Sequence, residues 1–132
     1  MITLDTTSVY AYLSRSDAHY QRVHEAIERE EGPFILPVSI LAELAYLIES
    51  RHGQQALSSF LGDIERGEYL LDCGDRDISR IRALVLRYDD MPLGFADAAV
   101  IACAERRGGR VLTYDQRHFG PVAREGTIQI VG

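Results

Sequence analysis

The chain has 132 residues and contains no lysine, no tryptophan and only two cysteines, Cys73 and Cys103. Two cysteines are too few for a disulfide framework, and the apolar run around Cys103 favours buried, reduced thiols. No apolar run approaches the roughly 20 residues of a membrane-spanning helix, and no secretory signal is expected before the first strand. The sequence therefore predicts a cytoplasmic globular protein with no membrane partner.

Several familiar nucleotide and catalytic motifs are also missing. No Gly-x-Gly-x-x-Gly segment follows the first predicted strand, and the chain has no P-loop, no zinc-ligand spacing and no nucleophile elbow. A dinucleotide-binding fold, a P-loop enzyme and a serine hydrolase are therefore disfavoured. With 46% hydrophobic residues, the chain is long enough to bury one core, and we expect a single domain over residues 1–132.

The net charge of −6 argues at first against a nucleic-acid partner. The charge is uneven, however, because residues 1–70 hold five arginines against eleven acids, whereas residues 71–132 hold nine of each. Arginine suits bidentate contacts to phosphate. Arg76, Arg80 and Arg87 recur at about helical spacing, as either a phosphate-binding face or a solvated helix face.

Short apolar runs alternate with amphipathic segments, which predicts an α/β domain with a largely parallel sheet. The predicted strands cover residues 2–5, 34–36, 69–71, 111–113 and 127–131. The predicted helices cover residues 9–13, 17–30, 39–51, 54–66, 75–88 and 95–107. Ser16 or Asp17 is expected to cap the second helix, and Ser39 the third.

Two acids lie on helix faces that should point inward. Glu43 follows Ile40 by three residues and precedes Leu47 by four, so it shares their apolar face. Asp97 lies three residues before Val100, in the first turn of its helix, where the helix dipole favours a negative charge. For each acid alone, a position at the edge of the core or a capping role is an equally good explanation.

Two further acids follow strands. Asp5 ends the first predicted strand, and Asp115 follows the fourth. In open parallel sheets, ligands bind outside the carboxyl ends of strands where the strand order reverses. If these strands are neighbours, the two carboxylates face each other, although each could simply cap the helix that follows.

Four converging carboxylates would repel one another strongly unless a cation neutralised them. Sets of Asp and Glu oxygens suit hard divalent ions such as Mg²⁺ or Mn²⁺. A metal held by acids, with open coordination positions, is suited to cleaving phosphodiesters. Asp5, Glu43, Asp97 and Asp115 therefore predict a metal-dependent phosphodiesterase site.

Four segments carry a family resemblance. Residues 2–8 (ITLDTTS), 41–44 (LAEL), 93–100 (LGFADAAV) and 112–119 (LTYDQRHF) contain the four acids in order. Together they resemble the motifs of PIN-domain ribonucleases, and their order and spacing are similar to those of the toxin subunit of bacterial VapBC toxin–antitoxin pairs. The resemblance covers essentially the whole chain.

The resemblance implies a three-layer α/β/α domain whose parallel sheet has the order 3-2-1-4-5. It further implies Mg²⁺- or Mn²⁺-dependent cleavage of transfer or ribosomal RNA, which leaves a 5′-phosphate and a 3′-hydroxyl. A cognate VapB-type antitoxin would block the site, and toxin homodimers are typical of the family.

Residue roles follow from the same resemblance. Asp5 and Asp97 are expected to be the principal metal ligands, and Glu43 and Asp115 to complete the acidic pocket directly or through water. Two threonines should orient the carboxylates by hydrogen bonds, and arginines of the C-terminal half should hold the RNA backbone. These residues are Thr6, Thr113, Arg76, Arg80, Arg87 and Arg117.

Two positions depart from the family pattern. His118 stands where the family often has an acid, and Thr7 where it often has Asn or Ser. His118 is expected to be a solvated loop residue, although it could touch substrate. Three rivals stay open: a receiver domain, which the lack of lysine disfavours, a phosphatase of the haloacid-dehalogenase type, which lacks its Asp-x-Asp here, and an inert PIN-like binding module.

Overall fold

Five short parallel strands form one sheet in the order β3-β2-β1-β4-β5, as predicted, in a computed structural model that describes residues 1–132. The register places Thr3 of the central strand beside Ile35 on one side and Val111 on the other. The strands are β1 (Ile2–Leu4), β2 (Phe34–Pro37), β3 (Leu70–Asp72), β4 (Arg110–Leu112) and β5 (Gln129–Val131). Strands β1 and β4 are therefore neighbours, which the proximity of Asp5 and Asp115 requires.

Seven α-helices cover the sheet in the predicted three-layer α/β/α arrangement. Helix α6 contacts β1, β2 and β4, while α1 contacts α2 and α3. None of the helices is both long and apolar enough to cross a membrane. The helices are α1 (Thr6–Leu13), α2 (Tyr20–Arg29), α3 (Leu41–His52), α4 (Gln54–Glu65), α5 (Ile78–Arg87), α6 (Phe95–Arg106) and α7 (Gln116–Arg124).

Helix α6 is the most deeply buried of the helices. All of residues 98–104 are buried, including four alanines and Cys103. Small side chains let this helix lie close to the sheet, and the sheet itself is apolar because helices cover both of its faces. The close packing of α6 fixes the position of Asp97, which lies in its first turn.

The predicted caps of the second and third helices are wrong. The second helix begins at Tyr20 instead of residue 17, because the Asp17 carboxylate accepts the backbone N–H of His19 at 2.8 Å and holds a turn there. Ser39 does not cap the third helix. It lies inside a 3₁₀ turn (Val38–Ile40) that leads into α3, and no side-chain cap is present.

Helix α7 was not among the predicted helices, and it was considered only in the alternative that Asp115 caps a following helix. Gly120 and Pro121 lie inside it, and both residues disfavour helix interiors in sequence patterns. The helix tolerates Pro121 because the carbonyl that loses its partner belongs to Arg117, an exposed residue whose backbone water can solvate. His118 lies in this helix, so its position could not be predicted from the sequence pattern either.

Candidate active site

Asp5 is a buried acid held in one orientation. It follows β1 and caps α1, where its Oδ1 accepts the backbone N–H of Ser8 at 2.9 Å. The Thr113 hydroxyl donates to Oδ2 at 2.6 Å, and the Thr7 hydroxyl lies 2.9 Å from both oxygens. Burial raises the pKa of Asp5 despite these hydrogen bonds, which lower it. A nearby cation would therefore stabilise the ionised form of Asp5, whose carboxylate is already oriented.

The threonine predictions were half correct. The hydrogen bond from Thr113 to Asp5 is confirmed. The predicted contact from Thr6 is wrong, because Thr7 takes that place and also accepts the backbone N–H of Tyr114 at 3.1 Å. In the first turn of α1, Thr7 rather than Thr6 points toward the carboxylate that caps the helix. Thr7 thereby links the ends of β1 and β4.

Asp97, Asp115 and His118 form a second group at the same edge of the sheet. Asp97 lies in the first turn of α6, and Asp115 caps α7 by accepting the backbone N–H of His118 at 3.1 Å. The His118 Nδ1 atom lies 2.9 Å from Asp115 Oδ2 and 3.9 Å from Asp97 Oδ2. One potential ligand atom from each residue lies within 4.8 Å of the others.

The four predicted acids act on one another electrostatically. The pKa of Asp97 is raised to about 6, mainly by burial and then by the charges of Asp115, Asp5 and Glu43, against a lowering effect of His118. Asp97 and Asp115 lie together with His118, while Asp5 and Glu43 affect Asp97 through their charges. The carboxyl edge of β1 and β4 is the site of convergence.

Glu43 is placed differently from the prediction. It is exposed, whereas Leu44 and Ile48 are the buried residues of α3. The inward face of this helix continues from Ile40 through Leu44 and Ile48 at intervals of four residues, so Glu43 lies beside that face and not on it. Glu43 therefore contributes charge from the solvent side of the site.

The predicted arginines fall into two groups. Arg80 forms a bidentate pair with Glu105 at 2.7 and 2.9 Å, and Arg87 forms one with Glu125 at 2.6 and 3.1 Å. Arg76 and Arg117 are exposed and form no ion pair within 4.0 Å. Arg117 precedes His118 in α7, so it is the free cation nearest in sequence to the acidic site.

His118 is the site residue that the sequence prediction left in a solvated loop. The structure places it in the first turn of α7, half-buried, against Asp115 and near Asp97. The available signal was its spacing, since a residue three positions after a capping Asp lies beside that Asp. Because no helix was among those predicted at this point, the spacing of three residues did not indicate that His118 lies beside Asp115.

Comparison with known proteins agrees with this geometry. The PIN domain family model matches residues 2–125. Ribonuclease VapC26 of Mycobacterium tuberculosis is 32% identical over 118 residues, which cover 88% of this chain and 87% of that protein. Among solved structures, the Mycobacterium tuberculosis VapC20 toxin, which cleaves the sarcin-ricin loop, aligns over 100% of both chains with a TM-score of 0.81 at 17% identity.

A DNA-bound VapBC complex from Salmonella typhimurium aligns over 98% of this chain and 97% of that one, with a TM-score of 0.70 at 26% identity. The family match covers nearly the whole chain, and the relative at 32% identity covers most of it. The chain therefore belongs to the PIN domain family, among the VapC-type ribonucleases.

Proposed function

We propose that this chain is the metal-dependent endoribonuclease toxin of a type II toxin–antitoxin pair, and that it cleaves transfer or ribosomal RNA to inhibit translation. The main support is the convergence of three carboxylates at the ends of β1, β4 and the start of α6, with Glu43 close enough to raise the pKa of Asp97. Such a site binds a hard divalent cation, which can in turn hold a phosphate.

The residues present fit a divalent cation. A carboxylate has about four lone-pair sites, and Asp5 receives three hydrogens, from Thr7, Ser8 and Thr113, which leaves one site for a metal. Asp97 has no hydrogen-bond donor other than the distant His118 ring, so its oxygens are available. We therefore assign Asp5 and Asp97 as principal ligands, with Asp115 and Glu43 completing the pocket directly or through water.

At the metal site the protein side chains have two tasks, which are to hold the cation and to keep the Asp5 carboxylate in place. A bound Mg²⁺ or Mn²⁺ would lower the pKa of water and offset charge on the phosphate. Thr7 and Thr113 fix the Asp5 carboxylate, so no side-chain reorganisation is needed when the phosphate arrives. Asp97 ionises near pH 6, so it is charged at neutral pH and can hold the cation.

Substrate binding falls to the free arginines. Arg117 and Arg76 are exposed and unpaired, so each can contact an RNA phosphate without breaking an existing ion pair. Arg80 and Arg87 would first have to leave Glu105 and Glu125. We therefore rank Arg117 first and Arg76 second among the predicted RNA contacts, and expect smaller losses from Arg80 and Arg87.

Metal dependence is the direct test of this function. Cleavage of total RNA by the purified chain should require Mg²⁺ or Mn²⁺ and stop when EDTA is added, because the acidic site then lacks its counter-charge. Mapping of the RNA ends should give 5′-phosphate and 3′-hydroxyl termini at defined positions. Readdition of metal should restore cleavage, which separates metal removal from loss of the protein.

Two outcomes would contradict the proposal. Full cleavage in EDTA would remove the metal from the reaction. A folded chain that binds Mn²⁺ but cleaves no RNA, alone or after expression in cells, would favour the inert PIN-like binding module instead.

The partner that we propose is a VapB-type antitoxin, because the solved relative from Salmonella typhimurium is a VapBC complex. An acidic recess invites a cationic inhibitor, so we expect the antitoxin to insert an Arg or Lys among the carboxylates. The long stem of such a residue can reach a recessed site while the partner packs on the surface nearby. A toxin homodimer also stays a prediction.

Antitoxin affinity tests this mode of inhibition. The Asp5→Asn, Asp97→Asn double variant should bind the antitoxin at least about 30-fold more weakly than the unaltered chain, since truncating one partner of a buried charge pair costs about 2 kcal/mol or more. Titration calorimetry would measure the difference. The matched control is the Asp89→Asn, Asp90→Asn double variant, which removes two exposed acids that form no ion pair. Equal affinities for both double variants would place inhibition elsewhere.

A further inference from the structure

His118 occupies the centre of a three-residue group that includes two acids of the proposed site. Its ring nitrogen Nδ1 lies 2.9 Å from Asp115 Oδ2 and 3.9 Å from Asp97 Oδ2. Its backbone N–H donates to the other oxygen of Asp115 at 3.1 Å. The site therefore places an imidazole beside two carboxylates, at a position where PIN-domain toxins often have an acid.

We infer that His118 is a metal ligand together with Asp97 and Asp115, and that its nitrogen makes the site select Mn²⁺ over Mg²⁺. The inference rests on the proposed metal-dependent function. It concerns which ion the chain prefers and which atom decides that preference.

The ring is held in place for this role. The side chains of His118, Asp115 and Asp97 are 24%, 23% and 32% exposed, so all three are confined but open to a small ion. Two oxygen ligands of one Mg²⁺-sized ion lie no more than about 4.2 Å apart. The three candidate ligand atoms already lie within 4.8 Å of one another, so small side-chain rotations bring them around one ion.

The protons of the group balance in this scheme. Carboxylate oxygens only accept, so the Nδ1 atom of His118 donates its hydrogen to Asp115 in the ion-free chain. A cation held at Nδ1 would need that atom bare, so the single proton of the neutral ring would move by exchange with solvent from Nδ1 to Nε2, with no net change in protons. Asp115 then contributes its freed oxygen to the same ion.

The choice of ion follows from the donor types. Mg²⁺ demands oxygen ligands in a nearly ideal octahedron and loses its water reluctantly. Mn²⁺ also prefers oxygen ligands, but as a first-row transition ion it accepts an imidazole nitrogen more readily than Mg²⁺ does. A histidine in place of an acid moreover removes one negative charge, which weakens binding most for the ion that depends on charge alone. The group at Asp97, Asp115 and His118 should therefore favour Mn²⁺.

Pulsed electron paramagnetic resonance of the RNA-free chain with Mn²⁺ alone tests the ligand directly. The unaltered chain should show hyperfine coupling to a bound ¹⁴N nucleus, and His118→Asp and His118→Asn should lose it. Titrations with Mn²⁺ and with Mg²⁺ should show a Mn²⁺:Mg²⁺ affinity ratio that falls about 10-fold or more in His118→Asp, which restores an all-oxygen set. His52→Asn, which alters an exposed histidine of α3, is the matched control and should change neither result.

The unaltered chain decides the inference even if the variants fold poorly. Bound Mn²⁺ without ¹⁴N coupling, coupling that persists in folded His118→Asn, or an affinity ratio unchanged in His118→Asp would make His118 only a hydrogen-bond partner of Asp115. RNA cleavage that needs metal but shows no nitrogen ligand overturns this inference alone. Cleavage in EDTA overturns the proposed function itself, so the two failures are distinguishable.

Discussion

Replacing Asp97 with asparagine should lower RNA cleavage by about 10²–10⁴-fold while making the ion-free chain more stable. The activity loss follows because Asp97 is a proposed principal ligand, and a weakened metal site loses several kcal/mol of transition-state stabilisation. The stability gain follows because Asn is nearly the same size as Asp but carries no charge among the other acids. A purely structural acid would give the opposite sign for stability.

The pH dependence of the gain can be stated from the pKa of Asp97. The unfolded carboxyl has its ordinary pKa of 3.8, and the folded one about 6, so folding favours the protonated form. This contribution is fully present below pH 4 and is lost as the pH rises through about 6. Two pKa units correspond to about 3 kcal/mol, which we reduce to about 1–2 kcal/mol because the side chain is 32% exposed.

Urea unfolding in EDTA, at pH 8 and at pH 4, measures this effect. Asp97→Asn should exceed the unaltered chain in stability at pH 8 and match it at pH 4. Asp89→Asn, at an exposed position, serves as the control and should be neutral at both pH values. A variant that is strongly destabilised at pH 8 yet fully active would make Asp97 a structural residue.

The strand order was predicted from the resemblance to PIN-domain ribonucleases, whereas the parallel sheet and the convergence of acids at one edge could be predicted from local signals. Short apolar runs that alternate with helices restrict the sheet to few topologies, and Asp5 and Asp115 directly follow two of these runs. Parallel strands end at the same edge, so a one-residue error in a strand boundary does not separate the two carboxylates. Asp97 was placed correctly because its helix is buried along much of its length.

Side-chain direction was less predictable. Glu43 lies one residue away from the buried face of α3. A 3₁₀ turn precedes this helix, and residue spacing alone did not show which face of the helix points inward. Thr6 and Thr7 are chemically identical, and only the geometry of the first turn of α1 decides which one contacts Asp5. His118 lies beside Asp115 because helix α7 begins there, and this helix was not among the predicted ones.

A buried ion network was entirely invisible in the sequence. Arg106, at the end of α6, donates two hydrogen bonds to Asp72, at 2.6 and 3.0 Å. It donates two more to Asp77, both at 2.9 Å. Arg107 adds a contact to Asp72 at 2.8 Å. Asp72 and Asp77 are only 6% exposed each, and the guanidinium of Arg106, followed by that of Arg107, lowers the pKa of Asp72 to about 2. The partners are separated by about thirty residues, so no periodicity joins them.

Replacing Arg106 with alanine should therefore destabilise the chain by about 3–5 kcal/mol, because Asp77 would lose its only ion-pair partner while buried, and Asp72 one of two. Arg80→Ala is the matched control. It removes an equally bidentate pair, with Glu105, but one whose arginine side chain is 44% exposed, so its cost should stay below about 1 kcal/mol. Urea unfolding would measure both variants.

The network lies at the end of α6 away from Asp97, so folded Arg106→Ala should keep its RNA-cleaving activity per molecule. Adding Asp77→Asn to Arg106→Ala should recover part of the lost stability, since the remaining buried charge is then removed. No recovery in the double variant would mean that Arg106 stabilises the chain through its packed stem instead of its charge. A loss of cleavage with stability unchanged would instead assign Arg106 to RNA binding, and the Asp72–Arg106–Asp77 network would then not stabilise the packing of α6 against β3 and the turn before α5.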